Sequence, residues 1–348
     1  MKLTFSDASE WNPFVRTFLC SMLCALAAVA VLNYVVNPDG TYRSRVVPQL
    51  LWGARGQKLS LLATANPAPQ ALILGSSRIM NLAPTDLQKA TGLVAFNAGV
   101  DVARPEDFYV LLRYAVERLH LHPRLIVIGV DVEAFHNHEP PHYYLQQPTE
   151  LTPYLWTQPN PHWRWAKFTK LFTYDETRSS LTALYKVTTG HADQLERTDS
   201  DGLTHCDGWS RQMADGNREL GESIRDTISR FAPRYDDYTA LSRERLDYLR
   251  ATLDFAHQSG SQTVIFLTPT HPLVEAGLQP HGYASRKAEV IAAVQSISDQ
   301  TKTPFYDFSS PREFGGEITH FIDGVHHDGT YFELMEARMF PARARAIQ

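Results

Sequence analysis

Three short apolar runs, Ala71–Leu74, Leu93–Phe96 and Leu125–Ile128, each end in a loop, and the stretches between them carry apolar residues at helical spacing. Runs of that length fit strands buried on both faces, and strands alternating with helices predict a parallel sheet covered on both sides. The first helix reads as Pro84 to Thr91, opened by proline and closed by Gly92. The second reads as Pro105 to Leu119, with Phe108, Leu111, Leu112, Ala115, Val116 and Leu119 on one face. After His136 the alternation stops, and a stretch at about 137–235, rich in Trp, Tyr, His and Pro, reads as an insertion or cap. It turns polar and Gly/Asp-rich from Asp193 to Asn217, as a loop would. Alternation resumes with a helix from Tyr238 to His257, a strand at Thr263–Leu267, a helix from Arg286 to Ile297 and a strand at Pro304–Phe308. A last helix, Gly329 to Arg343, closes an α/β domain of at least five strands spanning 71–348.

Ahead of that domain, Thr17–Val36 runs for 20 residues without a charge, which matches the thickness of a hydrocarbon core. Ala28-Val29-Ala30 has the small-x-small form of a signal-peptide cleavage site. The apolar run continues through Val31, Leu32, Tyr34, Val35 and Val36, which favours an uncleaved anchor: residues 1–16 before the membrane, 17–36 within it, 37–70 a stalk with helical content around Pro48–Leu62. Lys2 and Arg16 on one flank face Arg43 and Arg45 on the other, so flanking charge does not choose the side.

With a net charge of −5 and scattered Lys and Arg, the chain has no footprint for nucleic acid. Cys20 and Cys24 lie in the apolar run and only Cys206 beyond it, which excludes a disulfide framework or a cysteine-rich zinc site in the main body. The histidines His136, His138 and His142 stand near Glu133 and Glu139, but Pro140 and Pro141 oppose a regular element that would aim them at one ion. They read as a solvated loop, and neither a metal nor a cofactor is expected.

The first strand ends in Gly75-Ser76-Ser77-Arg78. In open α/β sheets, ligands bind at the carboxyl ends of strands, so a serine there stands where a nucleophile is useful. A Gly-Ser-Ser corner alone is usually only a turn. What it lacks, a base and a carboxylate to orient that base, is supplied by Asp323 and His326, three residues apart before the last helix. His327 is the rival base, with a surface or supporting role as the other reading. His271 follows the strand Thr263–Leu267 and so belongs to the same sheet edge, to touch substrate or pack a loop. Arg78 reads equally as an anion ligand or a partner for a carboxylate. The rings Tyr143, Tyr144, Tyr154, Trp156, Trp163 and Trp165 suit either stacking on sugars or a small core for the cap.

In this order the motifs resemble the four blocks of the SGNH, or GDSL-type, hydrolase superfamily, whose fold is a three-layer αβα, flavodoxin-like parallel sheet. The resemblance implies Ser77 as nucleophile, Asp323 and His326 as its partners, and an oxyanion hole from the Ser77 and Gly99 N–H groups. Gly99 stands in Asn97-Ala98-Gly99, and Asn97 joins Arg78, Asp131 and His271 as possible substrate contacts. The third block departs from the pattern: Gly129-Val130-Asp131-Val132 carries Asp131 where an asparagine donor is usual, and an ionised aspartate only accepts. Within the superfamily the chain looks most like membrane-anchored proteins of cell-envelope acylation, the DltD-type teichoic acid D-alanylation proteins and alginate O-acetylation proteins. That implies a serine esterase or O-acyltransferase outside the cytoplasmic membrane, acting on an acyl donor and a glycan or ester acceptor beside a multi-spanning O-acyltransferase. The alternative is a non-catalytic glycan-binding or scaffold module on the same fold.

Overall fold

The computed structural model describes residues 8–38, 42, 44, 46–47, 55–142, 144–146, 149–157, 163–190, 197–205 and 219–341. Tyr143, Cys206 and the Trp163 side chain lie outside them, as do Pro48 to Ala54 and most of the polar stretch around Asp193–Asn217. The chain divides into two compact units. The first comprises 1–51 and 161–195, the second 52–160 and 196–348.

The second unit is built on a five-stranded parallel sheet. Its strands in chain order are β1 Ala71–Leu74, β2 Ala95–Asn97 and β3 Leu125–Val130, then, after the two-stranded hairpin β4 Arg197–Thr198 and β5 Thr204–His205, β6 Gln262–Leu267 and β7 Phe305–Asp307. The spatial order is β2-β1-β3-β6-β7, the flavodoxin-like arrangement, in which the strand order reverses beside β1. Pairing sets Leu72 beside Phe96 and Ile126, and Val130 beside Leu267.

The unbroken apolar runs follow from the sheet being covered on both faces. Leu72, Leu74, Ile126, Ile128, Ile265 and Leu267 enter one apolar core, while Ala71, Ile73, Leu125, Val127, Val264 and Phe266 enter the other. Each fully buried Val, Leu, Ile or Phe side chain there stabilises the fold by about 1.5–3 kcal/mol. The helix Pro84–Thr91 has its expected bounds, ending on Gly92 in the left-handed conformation at φ +74°. The second helix is regular only over Pro105–Arg113 and widens to a π turn at Tyr114–Arg118.

The stretch 137–235 does not form one cap. Tyr144, Leu145 and Leu151 are buried in the sheet unit's main core, and Trp156 stacks on Tyr248 with ring centroids 3.8 Å apart and planes 9° apart. Tyr154 packs against the same core, so Tyr144 and Tyr154 help build it, while Trp156 stays 47% exposed. The hairpin reaches the sheet edge, where the Asn97 N–H donates to the Asp201 carbonyl at 2.9 Å. A helix from Leu220 to Asp237, absent from the sequence expectations, packs against Pro272–Leu278; Pro233 in its last turns reads as a breaker. The next helix starts at Arg243 rather than Tyr238, because the Ser242 hydroxyl caps the Arg245 N–H at 3.4 Å.

In the first unit the helix Ala8–Val36 contains a 24-residue apolar stretch, Pro13–Val36, long enough to cross a membrane. It packs with a helix from Tyr174 to Thr188.

Candidate active site

The site is assembled at the carboxyl end of β1. Gly75 is required by close approach: a Cβ there would lie 2.6 Å from the Gly129 carbonyl oxygen and 2.7 Å from Ile79. The chain then enters a short 3₁₀ turn, Ser77–Ile79, whose cap is Ser76; its hydroxyl accepts the Arg78 N–H at 3.2 Å. This turn presents a half-buried Ser77 while Ser76, 3% exposed, faces inward.

Two hundred and forty-nine residues later, His326 Nε2 lies 2.9 Å from Ser77 Oγ. Its Nδ1 lies 2.8 Å from Asp323 Oδ2. The other Asp323 oxygen accepts the Val325 and His326 N–H groups at 2.8 and 2.7 Å. Burial works against the Asp323 charge, but His326 and these hydrogen bonds hold its carboxyl well below the usual carboxylate range. An ionised Asp323 selects the tautomer with hydrogen on Nδ1, which leaves Nε2 to accept the Ser77 proton. The loop itself is pinned: the Ile322 N–H donates to the His326 carbonyl at 2.8 Å and the His271 N–H to the Gly324 carbonyl at 3.0 Å.

The remaining sequence candidates go elsewhere. His271 is 3% exposed; its ring accepts the Leu273 N–H at 3.1 Å and meets Phe321 edge-on, so it supports the Asp323 loop and offers substrate no open face. Asn97 is fully buried, donates to the carbonyls of Ile79, Met80 and Leu82, and accepts the Gly99 N–H at 2.9 Å. This corrects two expectations. Asn97 clamps the serine turn onto the end of β2, and the Gly99 N–H is already bonded rather than open to an oxyanion. Among the described residues the Ser77 N–H has no bonded acceptor.

Arg78 is 4% exposed and pairs with Glu133 at 2.9 Å and Asp131 at 3.7 Å, which resolves its two readings in favour of a carboxylate partner. Burial opposes its charge, but Glu133 and Asp131 keep it protonated. Asp131 also accepts the Thr268 hydroxyl at 2.6 Å, and Tyr235 donates to Glu133 at 2.8 Å. His327 is fully buried among Phe321, Tyr331 and Phe332, with Nδ1 donating to the Asp328 carbonyl at 3.1 Å; neither a surface position nor access to Ser77 is left to it. His136 is likewise buried, its Nε2–H donating to the Arg234 carbonyl at 2.9 Å, whereas His138 faces Asp237, so this loop is not simply solvated. Among the described residues no cluster of three or more His, Cys, Asp or Glu could hold a metal.

One neighbour of His326 escaped sequence reasoning. Asp101, in the loop after β2, has its carboxyl pushed up by burial, while Arg55 and His326 act in the opposite sense and the Val102 N–H donates to it. Val102 adopts φ +48°, which strains a β-branched residue by about 1–3 kcal/mol. The only sequence cue is its position just past Gly99. A cavity of about 370 Å³ opens elsewhere in this unit, lined by Glu106, Glu139, Arg245 and Tyr248 among others; no triad residue lines it.

No family model matches the sequence, and no curated protein does. Solved structures with a similar outline include an acylhydrolase, provisionally so described, from Bacteroides fragilis, at 13% identity and TM-score 0.37 over 84% of this chain and 94% of that one. A GDSL-like lipase from Bacteroides thetaiotaomicron matches at 12% identity and TM-score 0.39 over 84% of this chain and 98% of that one.

Proposed function

We propose that the chain is a membrane-anchored serine esterase or O-acyltransferase of the SGNH type, its sheet unit facing the cell envelope. The observation that carries this reading is the unbroken chain Asp323–His326–Ser77, with hydrogen bonds of 2.8 and 2.9 Å, at the carboxyl edge of a parallel sheet. In the reaction, Ser77 Oγ attacks the acyl carbonyl and passes its proton to His326 Nε2, while Asp323 stabilises the imidazolium. His326 returns that proton to the departing alcohol, leaving an acyl-serine. An acceptor hydroxyl, from water or a glycan, then attacks the ester; His326 takes its proton and gives it to Ser77. The free Ser77 N–H is the donor available to the oxyanion. The DltD-like and alginate-acetylation-like resemblance supplies the choice of an envelope glycan as acceptor and of a multi-spanning O-acyltransferase as partner.

A second reading, a non-catalytic SGNH-fold scaffold or glycan-binding protein, is favoured by one observation: the Gly99 N–H is bonded to Asn97 and Asp131 replaces a donor, which thins the oxyanion hole. Turnover of a chromogenic acetyl ester by the full chain in detergent separates the two. The enzyme reading expects turnover that falls at least about 10³-fold in Ser77→Ala and in His326→Ala. Folded wild-type protein with no turnover and no acyl-serine after incubation with activated esters contradicts it.

A further inference from the structure

We propose that residues 163–188 form a second membrane contact, lying in the headgroup–acyl boundary beside the point where the apolar helix leaves the bilayer. This rests on reading Ala8–Val36 as the anchor. The hydrogen bonds and buried apolar cluster that join the two segments fall on Leu32–Val36, the end of the span. Asn33, fully buried, donates to the Leu171 carbonyl at 2.8 Å and to the Thr177 hydroxyl at 2.9 Å. Val36 packs with Ala183 and Val47, and Leu32 and Leu184 border that cluster. At about 1.5 Å per residue, Thr17–Val36 covers about the 30 Å hydrocarbon thickness, so Leu32–Val36 lies where the core meets the headgroups. Whatever is bonded to Asn33 is held at that depth.

What is held there has the chemistry of that depth. Trp165, Phe168, Phe172, Tyr174, Leu181 and Tyr185 are 37–77% exposed, a density of bare aromatic and aliphatic groups unusual for a water-facing surface. On the helix Tyr174–Thr188, the small residues Ser180 and Ala183 are buried, while Tyr174, Leu181 and Tyr185 recur at 7 and 4 residues on the opposite face. Trp and Tyr favour the membrane interface, where the ring is buried and its polar edge is wet. Charge agrees: although the chain is net −5, residues 163–188 hold five basic residues against two acidic ones, which suits anionic headgroups.

Spin labels in the full-length chain, reconstituted into phosphatidylethanolamine–phosphatidylglycerol vesicles, test this. Cys20, Cys24 and Cys206 are changed to Ser, and single labels are attached through Val31→Cys, Leu181→Cys, Tyr185→Cys and Gln258→Cys. Residue 31 reports the span, and exposed Gln258 reports water. Labels at 181 and 185 are expected to collide with oxygen relative to a water-soluble nickel complex several-fold more than the label at 258. If 181 and 185 match 258 while 31 keeps the higher oxygen ratio, the second contact is wrong and the anchor stands. If 31 also matches 258, the anchor fails and takes the proposal with it. Labels at 181 and 185 closed to both probes would mean that protein, a second copy or a partner, covers the face, which also overturns it. Unchanged thermal unfolding of each variant confirms that the labelled chains are folded.

Discussion

Two charged clusters stand at the same edge of the sheet, and they end differently. Asp323, His326 and Ser77 form a line whose carboxylate end is 1% exposed and whose serine end is half-buried and open. Arg78, adjacent in sequence to that serine, belongs to a closed cluster with Glu133, Asp131, Thr268 and Tyr235. Within the closed cluster one guanidinium faces two carboxylates, each of which also accepts a hydroxyl, so the cluster can be removed from water but has little left to offer a substrate. The open line keeps one imidazole nitrogen aimed at one serine hydroxyl. Having charges at a strand end therefore does not define a site; what defines it is a chain of contacts that stops short of satisfaction.

The largest effect that sharpens the contrast is on the open line. Asp323→Asn keeps the shape of the loop but no longer fixes hydrogen on Nδ1, and ester turnover is expected to fall about 10³–10⁴-fold with thermal unfolding nearly unchanged. A fall below tenfold would mean that His326 does not depend on Asp323. For the closed cluster the expectation inverts. Arg78→Met leaves Glu133 and Asp131 buried without a cation and destabilises by about 3–5 kcal/mol in a denaturant titration, while turnover per folded molecule stays within about tenfold. Adding Glu133→Gln should restore part of that stability, since it removes one of the two orphaned charges. If Arg78→Met abolished turnover without loss of stability, Arg78 would belong to the open line after all.

Away from both clusters, Glu336 in the last helix gives the smallest effect. Burial, together with Asp86 and Glu333, pushes its carboxyl from 4.5 up to about 8. The folded chain therefore holds a proton that the unfolded chain loses first, so this group's contribution is full below about pH 4.5 and declines as pH rises towards about 8. His327 tilts the other way: burial pushes it down to about 4, and the neutral ring's contribution is lost as pH falls from 6.5 towards 4. Glu336→Gln is expected to raise the unfolding temperature above pH 8 and to leave it almost unchanged at pH 4.5. Equal stabilisation at both values would mean that Glu336 is already ionised in the folded chain.

The open line was expected from the sequence because each of its ends is a local motif, and the order of those motifs, by resemblance, pairs them across 249 residues. A strand, a glycine and a serine occupy successive residues, and Asp-x-x-His closes its contact within three. The closed cluster was not, since Arg78 meets Glu133 across 55 residues and nothing near either one announces the pairing. For the same reason periodicity is enough to give a parallel α/β sheet, with the three-layer form implied by the resemblance, whereas the placement of 137–235 is not local. Which residues of that stretch join the sheet unit, and which pack with the N-terminal helix, is decided by tertiary contacts such as Trp156 on Tyr248 and Asn33 on Thr177. Gly99 failed as a donor because its partner is the side chain of Asn97, two residues back, a turn that sequence spacing alone does not distinguish from an open loop.

The central claim is that Ser77, primed by His326, is the nucleophile. The most direct test is to treat the folded chain with a fluorophosphonate and locate the adduct by peptide mass spectrometry. A single adduct on Ser77, lost in Ser77→Ala and slowed by at least about 10²-fold in His326→Ala, is the predicted result. Labelling that persists undiminished in Ser77→Ala, or that maps to another serine, would contradict it.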